Sequence, residues 1–212
     1  MRRALTARAA PLPRPKRRTE ELHEHILQVA AELIATEGMQ GFTTRRLAEQ
    51  ASTSTPAIYE LFGDKGGLVR QIFFEGFRRL ASELDGLRRT DDPREDVCRL
   101  LQAFRCFYRE NPAIAAVMFS RPVPEFDPGP SEQQAGRAVR EHFVGCVQRA
   151  IDSGILDGNA TDIAHVLLAL AQGMAAVEVA GWLGTSNASV QRRWRLAIDA
   201  VLDGFSPMSR GS

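Results

Sequence analysis

Residues 42–68 read FTTRRLAEQASTSTPAIYELFGDKGGL and contain two short helical patterns separated by a tight turn. Thr43 precedes the first pattern and Ser54 precedes the second, and both residue types favour the N-cap position of a helix. Pro56 falls in the first turn of its helix, where a missing N–H costs little. Apolar residues recur at helical spacing in both patterns, so each helix has one buried face. This arrangement predicts a helix-turn-helix over residues 43–62.

The side chains on the opposite, outward faces of these two helices are small or can form hydrogen bonds. They are Thr44, Arg45, Thr55, Ala57 and Tyr59. Groups of this kind suit DNA phosphates and the base edges of a major groove. We therefore expect the two helices to contact double-stranded DNA.

The same region resembles the N-terminal domain of TetR-like transcriptional regulators, and the resemblance extends over residues 26–68. The matching positions are Ile26, Ala30, Ala31, Leu33, Glu37, Gly38, Gly41, Phe42, Thr43, Thr44, Leu47, Ala48, Ala51, Ser54, Ile58, Tyr59, Phe62, Lys65 and Leu68. The resemblance implies a dimeric DNA-binding protein, most often a repressor, whose C-terminal domain binds a small ligand that releases the DNA. It implies phosphate contacts for Thr44, Tyr59 and Lys65. The base contacts that it implies come from Arg45, Thr55, Pro56 and Ala57, and Thr43 and Ser54 complete the expected DNA-binding set.

The turn itself departs from the family pattern. The family usually has Gly followed by Val, where this chain has Ser52 and Thr53. A residue other than Gly in a left-handed conformation costs roughly 1 kcal/mol, and Thr fills an apolar space less well than Val. We therefore expect a helix-turn-helix whose turn is looser or slightly reshaped.

The net charge of +1 conceals a basic N-terminal segment. Residues 1–18 carry seven basic and no acidic side chains, so the other 194 residues carry 20 basic and 26 acidic ones. Three prolines favour an extended arm. Two interpretations remain open: an arm that contacts phosphates or the minor groove beside the helix-turn-helix, or a disordered, solvated tail.

The rest of the chain predicts helices only, so the expected fold class is all-α, with an N-terminal three-helix bundle and a C-terminal helical domain. We divide the chain into the basic arm 1–18, a DNA-binding domain 19–66, and a ligand-binding and dimerisation domain 67–206. Thr19 is the expected N-cap of the first helix. The expected later helices run over 65–87, 91–108, 112–119, 131–153, 161–182 and 187–205.

The last two helices have broad apolar faces, and small residues on the first of them would allow a second helix to approach closely. Both features favour a homodimer built on a two-fold symmetric four-helix bundle. The alternative is burial of these faces within their own domain. The expected interface residues are Leu170, Gly173, Met174, Val177, Trp182, Val190, Trp194, Ile198 and Val201.

Aromatic and sulfur-containing residues on the middle helices are typical of core, but as a set they could surround one apolar cavity with a few polar groups. These residues are Phe73, Phe77, Phe104, Tyr108, Met118, Phe119, His142, Phe143 and Cys146. We therefore expect a small, apolar or aromatic effector.

Little in the sequence favours catalysis. The four histidines and three cysteines have neither the spacing of a metal site nor that of a nucleophile and its base, so we expect no catalytic residue, metal or cofactor. No stretch approaches the roughly 20 apolar residues that span a bilayer, and no signal peptide is recognisable. We expect a protein of the bacterial cytoplasm.

Taken together, these features predict a dimeric regulator, most often a repressor, that binds a palindromic operator and responds to a small molecule. A helical carrier or adaptor of small molecules with a vestigial DNA-binding unit is the alternative. The outward Thr44, Arg45, Tyr59 and Lys65 argue against it, since a vestigial unit has no need to keep groups suited to phosphates exposed.

Overall fold

The computed structural model describes residues 15–119 and 129–207. This part of the chain forms helices and no strand, which confirms the all-α prediction. The helices are α1 (Pro15–Gly41), α2 (Thr44–Gln50), α3 (Thr55–Phe62), α4 (Lys65–Asp85), α5 (Pro93–Glu110), α6 (Pro112–Phe119), α7 (Pro130–Asp152), α8 (Ala160–Val179) and α9 (Asn187–Gly204). The first 14 residues of the expected basic arm lie outside the described residues.

The first helix begins earlier than the sequence predicts. It starts at Pro15, so Thr19 lies inside α1 and is not its N-cap. Proline is favoured in the first helical turn, and the Lys and Arg residues that follow it are good helix formers. Residues 15–18 therefore belong to α1 and not to a disordered arm. At the other end, Gly38 has φ 67° and ψ −179° and interrupts the helix where a stop was predicted.

The first three helices pack around a small apolar core and are held together by two cationic side chains. Arg46 of α2 forms an ion pair with Glu37 near the end of α1. Lys65, the first residue of α4, donates a hydrogen bond of 2.6 Å to the carbonyl of Phe42. Its Nζ also lies 5.4 Å from the centre of the Phe42 ring, in cation–π geometry. The start of α4 is thus fixed to the segment that leads into the helix-turn-helix.

The short helix α6 packs against both α1 and α4. Gly76 of α4 makes the close approach possible, because a Cβ at this position would collide with Met118 Sδ and lie 2.7 Å from Ile114 Cγ2. The helix-turn-helix end of the chain and the C-terminal helices therefore share a continuous packed contact.

A buried polar network joins α5, α8 and α9 in the C-terminal domain. Both carboxylate oxygens of Glu178 accept hydrogen bonds from Arg105, at 2.7 and 2.8 Å. The indole N–H of Trp194 donates to Glu178 at 2.6 Å, and Arg109 lies 3.4 Å from the same carboxylate. The Arg105 guanidinium also lies 5.2 Å from the centre of the Trp194 ring. One carboxylate therefore organises the contact of three helices.

The environment of Glu178 changes its titration. Burial alone would raise the pKa of its carboxyl, but hydrogen bonds from Arg105 and Trp194 and the charges of Arg105 and Arg109 outweigh burial and lower it. A carboxyl whose pKa is lowered on folding stabilises the protein above the pKa it has in the unfolded chain. That stabilisation is lost as the pH falls through the lower, folded-state pKa.

We expect Glu178→Gln to lower the free energy of unfolding by about 3 kcal/mol at neutral pH, because it leaves the buried Arg105 without its counter-charge. The variant should also lose less stability than the parent protein on going to acid, below roughly pH 4.3. Urea unfolding at a fixed protein concentration, at neutral and acidic pH, measures both effects. Glu60→Gln changes an exposed glutamate of α3 and is the matched control. Equal acid sensitivity in the parent protein and the Glu178 variant would contradict this assignment.

Candidate nucleic-acid interface

Both helices of the helix-turn-helix begin at the caps that the sequence predicts. The side-chain oxygen of Thr43 accepts a hydrogen bond from the Arg46 N–H at 3.2 Å. The side-chain oxygen of Ser54 accepts one from the Ala57 N–H at 3.3 Å. These caps fix where α2 and α3 start, and their hydroxyl hydrogens remain available to a DNA phosphate.

The turn between α2 and α3 carries backbone strain. Ser52 has φ 51° and is the one non-glycine residue with positive φ in the described part of the chain. The turn is nevertheless closed, because the Thr53 N–H donates to the Ala48 carbonyl at 2.9 Å and the Ser52 N–H to that of Glu49 at 3.3 Å. Ser52, at the position where the family usually has Gly, thus keeps the turn. Its positive φ costs conformational free energy that a glycine would not.

The surface of α2 and α3 that faces away from the core presents the side chains expected to contact DNA. Arg45 is 88% exposed, and its contact with Glu49 at 3.1 Å is a surface ion pair that costs little to break. Tyr59 is 51% exposed. Pro56 is also exposed, whereas Thr44, Thr55 and Ala57 are half-buried beside them.

Two further cations near this surface have different positions. Lys65 is exposed but already bound to Phe42, which leaves part of its donor capacity for a phosphate. Arg46, which follows Arg45 directly, is held by Glu37 and connects α2 to α1. The sequence does not predict this role for Arg46, because its spacing of nine residues from Glu37 is not that of an ion pair within one helix. The structure therefore separates an exposed arginine, Arg45, from Arg46, which is held between two helices.

The aromatic residues expected to surround an effector pack against one another. Ring centres lie 5.7 Å apart for Phe77 and Phe119, 5.5 Å for Phe104 and Phe119, and 6.2 Å for Phe104 and Phe143. Phe73, Tyr108 and Met118 are buried in the same core. These seven residues pack as core in this structure, and a cavity among them stays a prediction.

One cavity in the C-terminal domain lies between the end of α4, the start of α5 and the middle of α7. Its volume is about 410 Å³. Of the residues expected to line a pocket, His142 and Cys146 line this cavity. The other lining residues are Leu84, Asp85, Leu87, Arg88, Arg89, Asp96, Arg99, Leu100, Ala138, Glu141, Gly145 and Arg149.

Part of the expected dimer interface is buried inside the subunit. Trp194 has no exposed surface and hydrogen-bonds to Glu178, while Val190 is 9% exposed and Ile198 is 3% exposed. The apolar stripe of α9 that carries these three residues faces the chain's own core, and their place in an interface stays a prediction. Trp182, by contrast, is 83% exposed. The expected residues Gly173 and Val177 are exposed too, and Leu170, Met174 and Val201 are half-buried.

The outward face of α8 is apolar as well. Within the described part of the chain, α8 is the one helix long and apolar enough, by length and composition, to cross a membrane, and a third of it is buried in the fold. This corrects the expectation that no such stretch exists. One such helix is weak evidence for a membrane span, since apolar residues on both faces are also expected when one face packs in the core and the other is covered by a partner.

Comparison with known proteins supports this geometry. Residues 26–72 match the family model described as bacterial regulatory proteins of the tetR family, and residues 97–201 match that of the tetracyclin repressor-like C-terminal domain. The HTH-type transcriptional regulator Rv1816 of Mycobacterium tuberculosis is 27% identical over 143 residues. That match covers 66% of this chain and 60% of the length of the mycobacterial protein.

Solved structures have the same fold. A protein of unknown function from Rhodococcus sp. RHA1 is 25% identical with a TM-score of 0.72, covering 88% of this chain and 96% of that one. The TetR family transcriptional regulator PfmR from Thermus thermophilus is 19% identical with a TM-score of 0.71. That superposition covers 86% of this chain and 99% of PfmR, and it shows the likeness of fold.

The strained turn gives a direct stability test. We expect Ser52→Gly to raise the free energy of unfolding by up to about 1 kcal/mol, because glycine adopts positive φ without steric cost. Urea unfolding measures the change. Ser153→Gly is the matched control, since Ser153 also ends a helix but has φ −86° and should gain nothing from glycine. A Ser52 variant less stable than the parent protein would show that the turn carries no strain of this kind.

Proposed function

The chain belongs to the TetR family of bacterial transcriptional regulators, and we propose that it acts as a homodimeric repressor that binds a palindromic operator in the cytoplasm and releases it when a small effector binds the C-terminal domain. The family assignment makes it a DNA-binding regulator. Repression, dimerisation and ligand response are the proposal. The domain division that follows is residues 15–66 for DNA contact and 67–206 for effector binding and dimerisation.

The observation that carries the proposal is the exposed surface of α2 and α3. Two short helices with satisfied N-caps direct Arg45, Pro56 and Tyr59 away from the core. A single guanidinium that is 88% exposed and held by one surface ion pair can reorient at little cost. Arginine recognises guanine through paired hydrogen bonds to O6 and N7 in the major groove. We propose Arg45, Thr55, Pro56 and Ala57 as the residues nearest the bases.

Phosphate contacts are proposed for the groups around this reading surface. Thr44 and Tyr59 carry hydroxyls at its edge, and Lys65 carries a positive charge at the start of α4. Thr43 and Ser54 lie at the N-termini of α2 and α3, where the free N–H groups and the helix dipole favour an anion. Contacts of this kind fix the protein on the duplex and carry no sequence information.

A second copy of the chain is the proposed cover for the apolar face of α8. Gly173 lies in the middle of this helix, and nothing lies within 4 Å of the position its Cβ would occupy. The subunit itself therefore gives no packing reason for a glycine, which weakens a helix by roughly 1 kcal/mol relative to alanine. Close approach of a partner helix supplies such a reason. Leu196 of α9 is 68% exposed, and we propose it as a second apolar side chain that the partner covers.

The carrier or adaptor remains the alternative function. A vestigial DNA-binding unit predicts weak binding without preference for any sequence. A working regulator predicts a preferred, two-fold symmetric site and an affinity that falls steeply with salt concentration. Selection of bound duplexes from random DNA, followed by titration at several salt concentrations, separates the two functions.

We expect Arg45→Ala to cost about 1–3 kcal/mol on the selected site and to relax the preference at one position in each half-site. Tyr59→Phe should weaken binding to all sequences alike, because phosphates do not differ between sequences. Fluorescence anisotropy with the selected duplex and its single-base variants measures both effects.

Glu49→Gln is the matched control for Arg45, because it removes the ion-pair partner and keeps the guanidinium. It should retain the sequence preference of the parent protein. A loss of affinity in Arg45→Ala that is uniform across all duplexes would reassign Arg45 to a phosphate.

We expect Leu196→Glu to dissociate the dimer and leave the subunit folded. Leu196 is largely exposed within one subunit, so the charge meets an apolar surface only when a second copy packs against it. Two-fold symmetry places the charge there twice, at a cost of about 3 kcal/mol or more. Sedimentation equilibrium measures association, and circular dichroism checks the fold.

Gln191→Glu is the control for this substitution. It adds the same charge to α9 at an exposed position that borders α5, on a different flank from Leu196. This variant should associate like the parent protein. A Leu196→Glu protein that remains fully dimeric would exclude this flank of α9 from the interface.

A further inference from the structure

The cavity between α4, α5 and α7 has an unequal balance of charge. Four arginines and three carboxylates line it. Asp96 is paired with Arg149 at 2.6 Å, Asp85 lies 3.2 Å from the ring of His142, and Glu141 is exposed with no ion pair in the described part of the chain. These contacts leave Arg88 and Arg89 with no ion pair in the described part of the chain. Both are exposed at the mouth of the cavity, immediately after the end of α4. Two free guanidinium groups therefore face this space.

The segment that carries these arginines is held in place. Asp96, 7% exposed, accepts hydrogen bonds from the backbone N–H and the hydroxyl of Thr90. Arg149 donates to the Thr90 carbonyl at 2.9 Å. Thr90 directly follows Arg89 in the chain, so the connection between α4 and α5 is fixed to both α5 and α7. A site fixed in this way loses little conformational freedom when a ligand binds.

The remainder of the lining is Arg99, which is paired with Glu95, together with apolar or neutral residues. Leu84, Leu87, Leu100 and Ala138 supply the apolar part. Burial raises the pKa of Cys146 to about 11, against the opposing charges of Arg149 and Arg89, so at neutral pH this thiol does not add a negative charge. The cavity thus combines an apolar wall with one more basic than acidic side chain, and its two arginines without an ion pair are adjacent in the chain.

Gly145 adds an independent observation on shape. It lies in the interior of α7 and lines the cavity, and nothing lies within 4 Å of the position its Cβ would occupy. A glycine weakens a helix, and no close neighbour of Gly145 requires one. Its effect here is to keep the cavity open.

We propose that this cavity binds an organic carboxylate, with its anionic group on Arg88 and Arg89 and its apolar body against the leucines. The volume of about 410 Å³ lies within the range of small-molecule sites and far exceeds the size of an inorganic ion. DNA is excluded as the occupant by distance, since the 21 residues of α4 separate the cavity from the helix-turn-helix by about 30 Å. The proposal rests on the proposed ligand response of the C-terminal domain and assigns the chemical class of the ligand.

The position of the cavity connects the ligand to α4. Leu84 and Asp85, in the last turn of α4, line the cavity, and Lys65 at the other end of the same helix is bound to Phe42. A carboxylate on Arg88 and Arg89 therefore acts on the segment that immediately continues this helix.

The test is calorimetric titration of the full-length protein, without DNA, with benzoate, phenylacetate and octanoate, each beside its neutral amide. We expect at least one carboxylate to bind at one site per subunit, about tenfold or more tightly than its amide, because a charge-assisted hydrogen bond is lost in the amide. Arg88→Gln and Arg89→Gln should each weaken that binding about tenfold. Gly145→Leu should abolish it by filling the cavity while leaving every charge in place.

Arg140→Gln is the matched control, because Arg140 is exposed on another face of α7 and does not line the cavity. It should bind the carboxylate like the parent protein. The proposal is overturned if no carboxylate binds, if the amide binds as tightly, if inorganic phosphate displaces the carboxylate at equal concentration, or if Arg140→Gln weakens binding as much as Arg89→Gln.

DNA release is measured separately, by adding the carboxylate to the protein on its selected duplex. Carboxylate binding that depends on Arg89 and leaves DNA bound would support the anion site and contradict the ligand-responsive regulator. Normal sequence-specific DNA binding with no carboxylate site would overturn the anion site alone.

Discussion

The close approach of α6 to α4 is the constraint on which the rest of the arrangement depends. Gly76 allows Met118 and Ile114 to lie where any larger residue would place its Cβ, and the same short helix also packs on α1. Because protein interiors are close-packed, a helix held on both sides cannot shift without moving its neighbours. A displacement of α6 is therefore passed to α1 and α4 together. The helices of the helix-turn-helix rest on these two helices, so packing joins them to the C-terminal domain.

Much of the fold follows from local signals in the sequence. Asp92, Asn159 and Ser186 cap α5, α8 and α9 close to the predicted starts, since the signal for a cap lies within the few residues that form it. Thr19 shows the limit of the same signal. A residue suited to a cap does not act as one when the residues before it can also be helical, and a proline followed by Lys and Arg provides such an extension.

The site was less predictable because it depends on tertiary contacts. Apolar periodicity in α9 correctly indicated a buried face. Periodicity does not say whether the chain's own core or a partner covers that face, and Trp194 packs in the chain's own core. Aromatic residues likewise indicated a core. The cavity arises where Asp96 and Arg149 hold the connection after α4, a contact between residues 53 positions apart. In the sequence, Arg88 and Arg89 have no signal that distinguishes them from any solvated basic pair.

The positions of the two tryptophans have an optical consequence. The chain has no other indole, and one of its two is fully enclosed while the other is almost fully exposed. The enclosed ring of Trp194 lies against a guanidinium and donates its N–H to a carboxylate, whereas Trp182 meets water in the free subunit. Emission from the unassociated chain therefore combines a component that a dissolved quencher such as acrylamide can reach with one that it cannot. The fraction of the emission that the quencher reaches measures the exposure of Trp182, which follows the end of α8. The unmodified protein therefore shows without an attached dye whether that end of the helix is covered.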